Sequence, residues 1–321
     1  MRQLRFFLAV MSFIISTTLV TAQEDNHQII MQYESLHPEG IEYYDGVIFV
    51  SSLTEGDVFR VEMDGTITQF TDDERLVSSN GLWVDEENGR LLVANSDVGV
   101  SYHSSEKTSY QLSALGVYDL TTGETLDYYD LSDLVAGSHF ANDITMDDAG
   151  NIYVTDSFSP VIYRIDAHGE ATIWLSDDTF AGEGFQLNGI VYHSDNYLLV
   201  SRSATGELYK IPLENPTAFS LINVDPIIGA DGLEFDEEEI ILYVVTGEGA
   251  YAVESSDDWR SATVTGVSSS PELGTYTTGT TIEGSLWVVN SRFDVLFNTD
   301  ADTVQEFDLT RIIFDEAIDE A

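Results

Sequence analysis

The chain alternates apolar and polar positions in short runs, and residues 142–157, NDITMDDAGNIYVTDS, show the pattern clearly. Apolar residues at every second position predict a half-buried strand, and the central Asp-Ala-Gly predicts a tight turn. A second apolar run follows the turn and ends in small polar residues. The segment therefore predicts a β-hairpin that opens on two polar side chains, Asn142 and Asp143.

Six copies of this hairpin recur at intervals of about 40 to 50 residues, with one longer gap. They begin PEGIEYYDG, NGLWVDEENG, NDITMDDAG, NGIVYHSDN, DGLEFDEEE and TGTTIEG. A second hairpin follows most copies, so each repeat supplies four strands, as in one blade of a β-propeller. The sequence predicts an all-β chain folded as a six-bladed β-propeller with four-stranded blades, in a single domain over residues 23–321.

Two segments outside the repeats fit this architecture. The run HQIIMQY at residues 27–33 alternates like a strand, and we expect it to complete the last blade and so close the ring. The one long gap between copies contains residues 97–114. We expect these residues to form an extended surface loop of blade two.

The N-terminal residues 1–22 predict a secretory signal peptide. Two arginines precede an apolar run from Phe6 to Ile15, and Val-Thr-Ala at positions 20–22 suits cleavage after Ala22. A membrane anchor is the alternative, but the run is shorter than the roughly 20 residues that a membrane span needs. We therefore expect a secreted or periplasmic protein. It has no cysteine and hence no disulfide to stabilise it.

Charge narrows the range of partners. The chain has 57 acidic and 12 basic residues, which gives a formal net charge of −45. Such a field repels phosphate backbones and anionic lipid, so we expect neither nucleic-acid nor membrane binding. We expect a monomer that acts on a small molecule.

The residues that lead the six inner strands are the candidate site. Inner strands of a propeller start around its central axis, so their first residues are expected to converge. All six offer oxygen and none offers sulfur or imidazole, which favours Ca²⁺ over zinc or copper. Asn and Asp also favour turns, and this is the alternative explanation for each one taken singly. The six residues are Glu39, Asn80, Asn142, Asn188, Asp231 and Thr278.

The motifs HPEGI, FANDI, LNGI and GADGL, in this order, resemble the senescence-marker-protein/gluconolactonase family of six-bladed propellers. The resemblance covers nearly all of residues 23–321. It implies one divalent cation, usually Ca²⁺. It places Asn80 beside the ligands, with Asp143 and Thr278 lining the pocket. Thr278 departs from the phosphatase relatives, where a histidine of the last blade helps to bind a second calcium. The implied ligands are Glu39, Asn142, Asn188 and Asp231.

The chemistry that this resemblance implies is metal-assisted hydrolysis of a lactone or related ester. Asp231 is the implied base or nucleophile, because it is both a ligand and a carboxylate. His139 lies three residues before Asn142 and is a second catalytic candidate, whereas His37 is expected at the pocket mouth. Two alternatives stay open: hydrolysis of another ester such as an organophosphate, and binding of a ligand or partner without turnover.

Overall fold

The repeated hairpins form six antiparallel sheets, which are the blades of a six-bladed β-propeller, as predicted. The computed structural model describes residues 27–269, 275–298 and 301–316, so the predicted signal peptide lies outside the described residues. The first strand is β1 (Gln28–Gln32). Blade one contains β2 (Ile41–Tyr44), β3 (Val47–Ser51), β4 (Val58–Val61) and β5 (Ile67–Gln69). Blade two contains β6 (Ser78–Asp85), β7 (Arg90–Ser96), β8 (Ser113–Asp119) and β9 (Thr125–Asp130).

The remaining blades repeat this order from the axis to the rim. Blade three contains β10 (Ala141–Met146), β11 (Ile152–Asp156), β12 (Val161–Ile165) and β13 (Ala171–Ser176). Blade four contains β14 (Leu187–His193), β15 (Tyr197–Arg202), β16 (Glu207–Pro212) and β17 (Ser220–Leu221). Blade five contains β18 (Leu233–Phe235), β19 (Ile241–Thr246), β20 (Gly249–Glu254) and β21 (Thr263–Ser269). Blade six contains β22 (Tyr276–Ile282), β23 (Ser285–Asn290) and β24 (Glu306–Arg311), followed by β25 (Asp315–Glu316) of blade five.

The two ends of the described chain join neighbouring blades. Strand β1 pairs antiparallel with β24, with Met31 opposite Phe307, and so provides the fourth strand of blade six. This confirms the predicted closure by the N-terminal segment. Strand β25 pairs with the outer strand β21, where Asp315 lies opposite Val267. Without β1, strand β24 would be an unpaired edge of blade six, and the pairing with β1 covers that edge.

The core lies between adjacent blades. In β7, Leu91 packs with residues of blade one, whereas its neighbour Leu92 packs with residues of blade three. Successive side chains of a strand point to opposite faces, so a strand between two blades must be apolar at almost every position. Burial of one such side chain contributes about 1.5 to 3 kcal/mol. Burial between blades therefore stabilises a chain that has no cysteine.

Helices are few and short in the part of the chain that is described. One α-helix, α1 (Phe293–Leu296), follows blade six, and short 3₁₀ helices occupy Ser132–Leu134, Asp178–Phe180 and Pro216–Ala218. None of these helices is long and apolar enough to cross a bilayer.

Candidate metal and active site

A register shift near the start of the inner strand marks the lead residue in four blades, namely two, three, four and six. In β10 the pairing with β11 shifts between Ala141 and Ile144, and in β14 the pairing with β15 shifts between Leu187 and Ile190. Such a bulge leaves the residues within it unpaired and redirects their side chains. Asn142 and Asn188 stand inside these bulges. The sequence pattern of a polar residue before an apolar strand therefore corresponds to a local break in the ladder.

The structure corrects the alignment of blade six by one residue. The shift in β22 falls between Tyr276 and Gly279, and Thr277 occupies the position equivalent to Asp231. The backbone shows this equivalence, since Gly232 N donates to Thr277 O at 2.8 Å and Gly189 N donates to Asp231 O at 2.9 Å. Thr278, which was predicted from the sequence to lead the inner strand, follows Thr277 by one residue. The two consecutive threonines made the sequence alignment ambiguous at this point.

The glycine that follows most lead residues allows the inner strands to approach each other. A Cβ added to Gly40 would lie 2.3 Å from Asn80 O, and one added to Gly189 would lie 2.3 Å from Asp231 O. Only glycine fits so close to a neighbouring backbone. Blade three carries Asp143 at this position, and its side chain projects into the space that the glycines leave empty.

Four of the predicted ligands, Glu39, Asn142, Asn188 and Asp231, line one central cavity of about 270 Å³. Glu39, Asn142 and Asn188 are buried, and Asp231 is partly buried. The structure thus brings these side chains from four different blades to one floor. Their role as metal ligands stays a prediction.

Hydrogen bonds fix how the Asn142 amide is turned. Asn142 Nδ2 donates to Ser157 Oγ at 2.9 Å, and Ser157 Oγ in turn donates to Leu187 O at 2.6 Å. Because the serine proton goes to the carbonyl, Ser157 Oγ must accept from the amide. Asn142 Oδ1 is therefore directed away from this bond, and it is buried without any hydrogen-bond partner.

Asn80 shows the same arrangement next to the cavity. Its Nδ2 donates to Ser78 O at 3.1 Å and to Ala141 O at 3.2 Å, and carbonyl oxygens can only accept. Asn80 Oδ1 is left buried without a partner, as is Glu39 Oε2. Buried oxygens without a partner cost about 1 to 3 kcal/mol each, and three of them close together fit a site that accepts a positive group.

Burial raises the pKa of both carboxylates of the cavity floor. Burial, followed by the charges of Asp231 and Asp143, raises the pKa of Glu39 well above its usual range. Burial raises the pKa of Asp231 to about 8, although a side-chain hydrogen bond from Asn188 opposes the rise. Negative charge concentrated in a buried place is what a bound cation would relieve.

The donor set fits a hard divalent cation. Carboxylate and amide oxygens are calcium ligands, and two carboxylates match a charge of +2. Among the described residues, no three His, Asp or Glu side chains converge as a metal site. The site proposed from the sequence does not depend on such a triad, because amide oxygens supply half of its four donors.

Below the floor, a narrow channel of about 20 Å³ is lined by two acids that the sequence reasoning missed, Glu42 and Glu234. Asp143 and Thr278, which were expected to line the pocket, lie in this channel as well. Burial, then the charges of Glu234 and Asp143, raise the pKa of Glu42 well above its usual range, and burial raises the pKa of Glu234 to about 7. Glu42 and Glu234 each stand three residues after a lead carboxylate, and this spacing was the available signal.

Neither predicted pocket histidine lines the cavity. His139 is buried and its Nδ1 lies 3.0 Å from Asp156 Oδ2, in a polar cluster that also includes the Tyr163 hydroxyl. His37 donates from Nδ1 to Ser291 O at 2.9 Å, and burial lowers its pKa. Both histidines therefore hold loops next to the site, and a catalytic role for His139 stays a prediction.

The insert of blade two contributes to the cavity by a residue that was not singled out. Ser101 Oγ donates to Thr54 O of blade one at 3.0 Å, and His139 N at the entry to blade three donates to Tyr110 O at 3.1 Å. The insert thus runs between the two blades that flank its own. Val98 lines the cavity, whereas Tyr102 of the same insert is 66% exposed.

Solved structures share this fold at low sequence identity. The allergen Mala s 1 of Malassezia sympodialis is 18% identical, with a TM-score of 0.72 over 90% of this chain and 96% of the allergen. A gluconolactonase from Xanthomonas campestris is 16% identical, with a TM-score of 0.59 over 89% of each chain. Virginiamycin B lyase of Staphylococcus aureus is 12% identical, with a TM-score of 0.59 over 89% of this chain and 99% of the lyase.

These similarities show the six-bladed fold alone, because one fold supports several chemistries. No protein-family model matches the sequence, and no curated protein matches it either. The structural neighbours thus include a gluconolactonase, while the function of this chain has to be argued from its own site.

Proposed function

We propose that the protein is a divalent-cation-dependent hydrolase of lactones or other carboxylic esters, with its active site at the floor of the central cavity. One observation carries the proposal. Glu39 Oε2 and Asn142 Oδ1 are buried without partners on the same cavity floor as Asp231. The gluconolactonase among the structural neighbours supports the choice of reaction class.

The residues that would hold the cation are Glu39, Asn142, Asn188 and Asp231, and Ca²⁺ is the ion that suits them best. When bound, such an ion would polarise the substrate carbonyl and stabilise negative charge on its oxygen. Asn80 supports this arrangement, since its amide donates to Ala141 O directly before Asn142.

Asp231 is the residue that we assign to proton transfer. Its carboxylate lines the cavity floor beside Asn188, whose side chain lowers the pKa that burial raises. A water molecule adds to the carbonyl carbon while its proton passes to the Asp231 carboxylate. The bond to the leaving oxygen then breaks, and that oxygen takes the proton from Asp231.

The proposal is tested with a panel of lactones, aryl esters and phosphotriesters. Each substrate is assayed with the full mature protein in calcium, after EDTA, and after calcium is added again. We expect hydrolysis of at least one carboxylic ester, with loss in EDTA and recovery on calcium addition. Equal rates in EDTA would contradict the metal requirement, and cleavage of phosphotriesters alone would reassign the substrate.

A second candidate is a propeller that binds a small ligand without turnover. It is favoured by the placement of His139 and His37 outside the cavity, which leaves Asp231 and Glu39 as the available bases. Absence of hydrolysis across the panel in calcium, together with saturable binding of a ligand in the cavity, would support this candidate.

A further inference from the structure

The walls of the central cavity are chemically unlike its floor. Six apolar side chains, four of them phenylalanines, surround the space above the candidate ligands. Within the described ranges, Ser203 is the one wall residue with a hydroxyl side chain. The six are Leu53, Val98, Phe140, Phe185, Phe293 and Phe297.

The aromatic side chains are arranged as rigid walls. Phe140 and Phe185 contact edge to face, with ring centroids 5.3 Å apart, and Phe158 supports Phe185 from behind at 5.0 Å. On the blade-six side, Phe293 packs against Phe297 at 5.5 Å. Edge-to-face contacts of this kind favour particular ring orientations. An apolar ligand would therefore meet a preformed surface.

Two of these rings remain partly exposed at the rim of the cavity. Phe185 is 40% exposed and Phe297 is 57% exposed, although large apolar side chains at a protein surface gain from burial. Their exposure beside a cavity is typical of a ligand-binding mouth. The ligand that covers them would remove apolar surface from water at both sides of the opening.

Charge excludes an acidic ligand. Among the described residues, those that line the cavity include no Lys, Arg or His, and the chain carries a formal net charge of −45. A carboxylate or phosphate on the substrate would find no basic partner on these walls. A ligand with many hydroxyl groups fits poorly too, because buried hydroxyls without partners are costly and the walls offer little beyond Ser203.

We infer that the substrate is a small, neutral ester or lactone with an apolar alkyl or aryl group, and that it is not a polyhydroxylated sugar lactone. The inference rests on the proposed function and specifies its substrate class. The cavity of about 270 Å³ is near the lower limit for ligand pockets, about 300 Å³, so the ligand is small. The ester carbonyl would face the floor, and the apolar group would lie between Phe140, Phe185 and Phe297.

The test compares two lactones with the same six-membered ring. With calcium-loaded protein, we expect kcat/KM for δ-decalactone to exceed that for δ-gluconolactone at least about tenfold, a typical effect of well-buried methylene groups. Phe185→Ser and Phe297→Ser should each lower kcat/KM for δ-decalactone by about tenfold through KM, with little effect on δ-gluconolactone. Leu126→Ser is the matched control, since Leu126 is 53% exposed on β9, the outermost strand of blade two, and does not line the cavity.

Binding of a non-hydrolysable analogue separates this inference from the proposed function. The analogue is the lactam of δ-decalactone, in which N–H replaces the ring oxygen, and its binding is measured by calorimetry. Lactam binding that Phe185→Ser weakens, without hydrolysis of any ester, would support the apolar site and refute the hydrolase. Chelator-sensitive hydrolysis that favours δ-gluconolactone, without lactam binding, would refute the apolar site and leave the hydrolase intact. Absence of both would refute both.

Discussion

Two groups of acidic side chains lie near the axis of the propeller, and they differ in how their oxygens are used. The cavity-floor carboxylates are Glu39 and Asp231, and the channel carboxylates are Glu42, Asp143 and Glu234. Burial raises the pKa in both groups. A raised pKa alone therefore does not distinguish a functional acid from a structural one in this molecule.

Hydrogen bonding distinguishes Asp143 and Glu234 of the channel from Glu39 of the cavity floor. Two channel carboxylates connect adjacent blades: Asp143 Oδ2 accepts from Ile190 N at 3.1 Å, and Glu234 Oε1 accepts from Thr281 N at 3.2 Å. At the cavity floor, by contrast, Glu39 Oε2 has no partner. Backbone N–H groups thus supply hydrogen bonds to two of the channel carboxylates, whereas Glu39 keeps a carboxylate oxygen available for a ligand.

The largest expected effect comes from replacing one acid of each group by its amide. Asp231→Asn keeps the size of the side chain but removes the proton acceptor, so kcat should fall by about 10²- to 10⁴-fold. Glu42→Gln makes the equivalent change in the channel and should alter kcat less than about threefold. Initial rates on any substrate that the panel identifies measure both.

If Asp231→Asn kept the parental rate with calcium bound, Asp231 would be a ligand at most. Equal losses in the two variants would show that the cavity floor and the channel act as one site.

The pH dependence of the melting temperature, measured with and without calcium, provides a second comparison of the cavity-floor and channel carboxylates. A carboxyl whose folded-state pKa is raised stabilises the folded protein below its unfolded pKa, and that contribution is lost as pH rises through the folded value. With values of about 7 for Asp143 and Glu234 and about 8 for Asp231, the melting temperature in EDTA should fall between pH 5 and pH 8.

Calcium should oppose this fall, because the cation binds the ionised form of its ligands. The difference between the melting temperatures in calcium and in EDTA should therefore grow from pH 5 to pH 8. Glu234→Gln should flatten the EDTA curve and leave the calcium response in place. A calcium response that shrinks as pH rises would contradict carboxylate ligation.

A smaller effect is expected when Asp143 is changed. Asp143→Asn places an amide where Oδ1 or Oδ2 now accepts from Ile144 N or Ile190 N, so one of these hydrogen bonds is lost. We expect a destabilisation of about 1 to 3 kcal/mol in urea unfolding, with the metal content unchanged. Loss of metal without loss of stability would instead place Asp143 among the ligands.

Much of the architecture could be predicted from the sequence because the strands and turns follow from local patterns of apolar and polar residues. The alternation in β10 and β11, the turn between them and its repetition predict blades, and the apolar run at Gln28–Gln32 predicts the closing strand. The lead residues were found for the same reason, since each precedes an apolar strand at a fixed place in its repeat.

The remaining features depend on contacts between distant segments. Thr277 and Thr278 are chemically alike, so strand register decided which one leads β22. Phe185 and Phe297 belong to loops from different blades, and no local pattern shows that they meet at one cavity. His139 lies close to Asn142 in sequence, but its bond to Asp156 places it outside the cavity lining. Nearness in sequence was a poor guide to membership of the site.

The most direct test of the central claim is the divalent metal content of the dialysed protein, measured by elemental analysis. The scattered surface acids of this chain bind calcium weakly and should lose it on dialysis. We predict about one calcium per chain in the parent and in Glu42→Gln, and essentially none in Glu39→Ala, which lacks a charged ligand of the cavity floor. A parent protein without divalent metal, or a Glu39→Ala variant that retains the full amount, would contradict the claim that the cavity floor is a cation site.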